Sequence, residues 1–111
     1  MIYLLRNQAS RRQIEEMLQA LETYIKLAVD IERGLLAGGG ELHADGEALL
    51  VEDGSRQENI WGADWIPETQ EVRFEALINI RPRQNNRSMT ILDTAIRQQV
   101  ERIVRFVLED V

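Results

Sequence analysis

Cysteine is absent from this 111-residue chain. That removes disulfides, thiolate nucleophiles, zinc fingers and iron–sulfur ligation together. There is one histidine, His43, so multi-histidine metal sites are excluded and no metal or cofactor is expected. Lysine is almost missing: Lys26 stands alone beside twelve arginines. No apolar run reaches the length of a membrane span, so no membrane association is expected. Met1-Ile2-Tyr3-Leu4-Leu5 has neither a basic segment nor a cleavage site, which reads against a signal peptide and for the cytoplasm of a prokaryote. No Walker loop occurs; Gly38-Gly39-Gly40 lacks the lysine and the following helix that phosphate cradling needs.

What is present suits one domain spanning residues 1–111: 44% hydrophobic and 29% charged residues. The net charge of −6 disfavours nucleic acid as a partner. It is unevenly spread. Residues 1–14 carry three arginines and no acid, 15–75 carry four basic and fifteen acidic residues, and 76–111 carry six basic and four acidic ones. An anion-facing surface is therefore expected in the last third.

The periodicities give the elements. Ile2 to Leu5 reads as a short strand. Ser10-Arg11-Arg12-Gln13 fits a capping box, followed by an apolar stripe at Ile14, Met17, Leu18, Leu21, Ile25 and Ala28. Residues 27–36 fit a helical continuation or a strand, and their β-branched residues and two-residue period favour the strand. Asp45 as N-cap and Gly54 beyond the C-terminus bracket a short helix. Asn59–Ile66 and Val72–Arg81 read as an antiparallel hairpin turning at Pro67, and Pro82 stops its second strand. Asp93 caps a last helix with its stripe at Ile96, Val100, Ile103, Val104, Val107 and Val111. The expected class is α+β: a small, mainly antiparallel sheet of about four strands, with two amphipathic helices on one face and one short helix.

Three groups of residues could carry chemistry. His43 and Asp45 lie within Glu41–Glu47; the histidine could act as acid, base or ligand, or simply bond the Gly-rich turn while Asp45 caps the helix. A Ser–His–Asp triad can be written from Ser55 or Ser88, but no nucleophile elbow accompanies it. The second group is Asn79, Arg81, Asn86, Arg87 and Ser88. Asn79 and Arg81 would share a strand face, and the arginine forks suit a carboxylate or phosphate; the alternative is a structural loop paired to the acidic middle segment. The third is Trp61 and Trp65, on one strand face, which suit a core or a dimer interface.

The run Gly39-Gly40-Glu41-Leu42-His43-Ala44-Asp45, with Leu49-Leu50, Gly54-Ser55, Gln57, Trp61-Gly62, Pro67, Ile78-Asn79-Ile80-Arg81-Pro82 and Asn86-Arg87-Ser88, resembles a small family of uncharacterised prokaryotic proteins, a domain of unknown function. The resemblance spans most of the chain from about Leu27 onward. It implies a free-standing domain and no particular activity, cofactor or partner.

The functional expectation is a domain that binds, with catalysis left open, a small anionic molecule such as a carboxylate or phosphate. Arg81 and Arg87 would hold its charge, Asn79, Asn86, Ser88 and Asp45 would help place it, and His43 would stand opposite as acid or base. The alternative is a non-enzymatic interaction domain or homodimer.

Overall fold

The computed structural model describes residues 1–110. Five strands, β1 (Ile2–Leu5), β2 (Ile25–Asp30), β3 (Leu35–Gly39), β4 (Ile60–Ile66) and β5 (Glu71–Arg73), form one antiparallel sheet in the order β1-β3-β2-β4-β5. Three helices, α1 (Arg11–Leu18), α2 (His43–Glu52) and α3 (Thr94–Leu108), complete the α+β fold. The strand count exceeds the expected four because residues 25–39 make a full hairpin. Among the described residues no helix is long and apolar enough to cross a membrane.

The pleat divides the sheet into two faces. Ile25, Leu27 and Val29 of β2, Leu36 of β3 and Trp61, Ala63 and Trp65 of β4 pack with Met17 of α1 and with Val100, Val104, Val107 and Leu108 of α3. The opposite face is thinner. Ala28, Leu35, Ala37 and Ile60 meet Leu50 of α2. Small side chains let α2 lie close: a Cβ on Gly46 would stand 3.3 Å from the Ala28 Cβ. Both tryptophans belong to the core, almost wholly buried, with their indole N–H groups unpartnered among the described residues.

The capping box forms as read: Ser10 Oγ accepts from the Gln13 N–H at 3.1 Å and Gln13 Oε1 from the Ser10 N–H at 2.9 Å. Asp93 caps α3 through the Ala95 N–H. Val111, the last residue of the α3 stripe, lies outside the described residues.

Three expectations need correction. Helix α1 ends at Leu18, so Ile25 and Ala28 belong to β2. Their helical spacing was a coincidence of a central strand buried on both faces, which shows no clean alternation. Residue Glu22, in the left-handed region at φ 70°, breaks the chain direction between helix and strand. Asp45 does not cap α2; the cap position is Leu42, without a side-chain bond, and Asp45 is exposed in the first turn. Gly54 does follow the helix, with φ 107°. Finally, Val72–Arg81 is not one strand.

The departure of that segment shapes everything near the candidate site. β5 pairs with β4 only from Ile66↔Glu71 to Asp64↔Arg73. Beyond Arg73 the chain leaves the sheet, and Leu77–Asn79 forms a 3-10 turn. Val72 and Phe74 pack with the α1/α3 face while Ile78 packs on the α2 face, so the alternating run is split between two cores. Where β5 has gone, the Asn79 side chain takes its place. Its Oδ1 accepts from the Gly62 N–H at 2.7 Å and its Nδ2 donates to the Gly62 carbonyl at 3.0 Å, as a neighbouring strand would. Glycine is required at 62 for this approach: a Cβ there would lie 2.4 Å from the Ala76 Cβ.

Candidate functional site

Asn79 and Asn86 together hold residues 74–92 in place. Asn79 Nδ2 also donates to the Met89 carbonyl at 3.0 Å. Asn86 Nδ2 lies 2.7 Å from the Asn79 carbonyl and 3.0 Å from those of Ser88 and Thr90, and its Oδ1 accepts from the Leu92 N–H at 2.9 Å. Both amides are buried. Two isolated antiparallel bridges, Glu75↔Thr90 and Arg81↔Asn86, pair part of this loop's backbone, and the two amide side chains satisfy much of the rest. Ser88 serves the same end, accepting from the Thr90 N–H at 3.1 Å. These three residues are therefore turned towards the loop's own backbone.

Arg81 is a cross-link. Its Nε donates to the Ile78 carbonyl at 2.9 Å, its Nη1 to the Gln57 carbonyl, and its Nη2 to Glu47 of α2 at 2.7 Å. The two side chains of that ion pair are only 10% and 15% exposed. The guanidinium lies 5.3 Å from the Trp61 ring centroid. Burial pulls Arg81 below the ordinary arginine value, and the Glu47 carboxylate opposes that pull. Glu47 was missed in the sequence. The signal was its position one turn after His43, which places both on one side of α2.

His43 is tied to β4. Its Nε2 lies 2.8 Å from Asp64 Oδ1 and 3.0 Å from the Ala63 carbonyl. Both are acceptors, so Nε2 carries a proton and donates. The imidazole anchors the start of α2 to the sheet. Asp64, also missed, is the residue whose ladder partners are Lys26 and Arg73.

An open cleft of about 700 Å³ lies between α2, residues 57–58 and the 77–84 loop. Leu77, Ile78 and Ile80 give it apolar walls, with Leu77 71% and Ile80 44% exposed. Four charged residues line it: Glu47, Glu58, Arg81 and Arg83. Glu47 is neutralised by Arg81, and Glu58 faces Arg56 at 3.5 Å. Arg83 is exposed and makes no ion pair among the described residues. Of the expected site residues, the cleft contains Arg81 alone. His43 shares its side of the sheet through α2, while exposed Arg87 and Asp45 do not line it.

A second polar cluster ties the far end of α2. Asp53 accepts from Arg6 and Arg33, each at 2.8 Å, and Arg33 also donates to Ser55 Oγ at 2.7 Å. The Arg33 hydrogen bond, ahead of the Coulomb attraction of both arginines, holds the Asp53 carboxyl below its ordinary value. A carboxylate depressed in the folded state stabilises fully above its unfolded value, about pH 4, and the stabilisation is lost as pH falls through the lower folded value. Asp53→Asn is expected to melt lower than wild type at neutral pH, with the gap closing below about pH 4 in thermal melts. A gap independent of pH would remove the assignment.

Fold and site define a small antiparallel-sheet domain with helices on both faces and a side-chain-anchored loop forming one wall of a cleft lined by both apolar and charged residues. The chain matches, over residues 3–107, the model of the family described as protein of unknown function DUF5674, and it belongs to that family. No curated protein and no solved structure matches it.

Proposed function

We propose that the chain is a binding domain for a small anion with an apolar part, such as an aliphatic carboxylate or an organic phosphate, taken in the cleft beside the 77–84 loop. The observation that carries this reading is the balance of charge there. In a protein of net −6, the charge left unpaired in the cleft wall is the cation Arg83, set beside exposed Leu77 and Ile80. The apolar walls would take the hydrocarbon and Arg83 would take the anion. Arg81 would serve as the fixed floor, and Asn79, Asn86 and Ser88 as the frame that keeps the loop preorganised. The proposed setting is the cytoplasm of a prokaryote.

The test is an amide chemical-shift titration with hexanoate and, separately, inorganic phosphate. Hexanoate is expected to shift the Leu77, Ile80 and Arg83 amides and to bind more tightly than phosphate. Arg83→Ala is expected to weaken it about tenfold, equivalent to about 1.4 kcal/mol, while Arg87→Ala leaves it unchanged. Shifts that avoid this cleft, or that follow Arg87 and ignore Arg83, would overturn the proposal.

A further inference from the structure

The two edges of the sheet are built differently. β5 is three residues long and carries Glu71 and Arg73, both exposed. Charge and shortness are how proteins keep an edge strand from pairing with another chain. β1, at the other edge, has neither charge nor proline nor glycine: Met1-Ile2-Tyr3-Leu4-Leu5 is apolar throughout, and Ile2, Tyr3 and Leu4 remain partly exposed. β1 pairs with β3 on one side only, and among the described residues nothing hydrogen-bonds its outer backbone.

We infer that β1 is an assembly edge, and that its partner is β1 of a second copy, paired antiparallel about a two-fold axis. A strand laid antiparallel on its own copy is self-complementary, which is the condition for a closed dimer. Side chains of such a pair must match on both faces of the sheet. β1 faces the α1/α3 core with Tyr3 and Leu5 and the α2 core with Ile2 and Leu4, so its copy supplies an apolar neighbour on each face. The two five-stranded sheets then become one of ten strands. Charge does not oppose the approach. The nearby basic residues Arg6 and Arg12 are held by Asp53 and Glu16 of their own chain, at 2.8 and 3.1 Å. Tyr3 is likewise fixed by its hydroxyl, which donates to Glu16 at 3.0 Å. This assembly is independent of the cleft ligand, because the cleft has no residue of β1 in its wall.

The test uses the whole chain. Sedimentation velocity from micromolar to millimolar protein is expected to show the mass doubling, with amide exchange of residues 2–5 slowing as the dimer forms. The absence of cysteine makes cross-linking clean. Residues opposite their own copies near the axis have Cβ atoms about 4.5–5.5 Å apart, so Tyr3→Cys or Leu4→Cys is expected to give a disulfide dimer on mild oxidation, while Glu71→Cys on the other edge does not. Circular dichroism of each variant establishes that it is folded. A chain that stays monomeric to millimolar concentration, with unchanged exchange at residues 2–5, overturns the inference. So does a dimer in which those amides stay unprotected, since another surface would then hold it, or one cross-linked through Glu71→Cys and through neither β1 variant.

Discussion

Replacing Asn79 by alanine is expected to cost this protein on the order of 4 kcal/mol. The figure comes from counting what the amide leaves behind. Gly62 loses the acceptor of its N–H and the donor to its carbonyl, and the Met89 carbonyl is left with the Ala76 N–H alone. Gly62 lies under Ala76 and Ile78, so water cannot replace the amide without displacing the segment. Each buried orphan costs about 1–3 kcal/mol, and some relaxation lowers the sum. Total stability of a domain this size is about 5–15 kcal/mol. At about 4–8 °C per kcal/mol, the melting midpoint falls by roughly 15–30 °C. Asn79→Asp is expected to be no better, because a carboxylate accepts from Gly62 N–H but offers nothing to the two carbonyls. Denaturant and thermal melts check both, with amide exchange at Gly62 as the local readout. A loss below about 1 kcal/mol would mean that the loop relaxes freely and is not anchored here.

That side chain also marks where reading by pattern fails. The start of α1 with its capping box, the α3 stripe from Ile96 to Val107, the Asp93 cap and the β4–β5 turn were legible because each is decided by local spacing, whereas the α1 stripe was read too far, past Leu18. The hairpin β2–β3 was half legible, since a central strand buried on both faces has no alternation to read. The run from Val72 to Ile80 alternates well and is still not a strand. Its period is real, but Val72 and Phe74 serve one core and Ile78 the other, and Gly62 gives room for the chain to cross over. Nothing local in Asn79 distinguishes a surface donor from a substitute ladder rung. The same holds for Asn86 and Arg81: the polar residues that looked like a cradle are unusual because they hold the loop's backbone. Glu47 and Asp64 were hidden for the converse reason. Each is one acid among nineteen, and only the fold shows which basic group it meets.

The Arg81–Glu47 pair gives the second large effect and separates Arg81's structural work from any ligand contact. Arg81→Met removes the donors to the Ile78 and Gln57 carbonyls and strips the charge from beside Glu47, whose side chain is 15% exposed. Breaking a desolvated pair on one side costs about 3–5 kcal/mol. Glu47→Gln is expected to cost less, because Arg81 keeps its two carbonyls and an amide oxygen can still accept from Nη2. The double variant Arg81→Met/Glu47→Leu is expected to recover much of the Arg81→Met loss, since no buried charge is left alone; denaturant melts of the four proteins give the coupling directly. The double variant also leaves the net charge of the cleft unchanged, one cation and one anion having gone together. If Arg83 carries the anion, hexanoate affinity survives in the double variant and falls about tenfold in Arg83→Ala. If the Arg81 fork were the anion holder, the order would reverse, and the floor would have to be counted as the binding group.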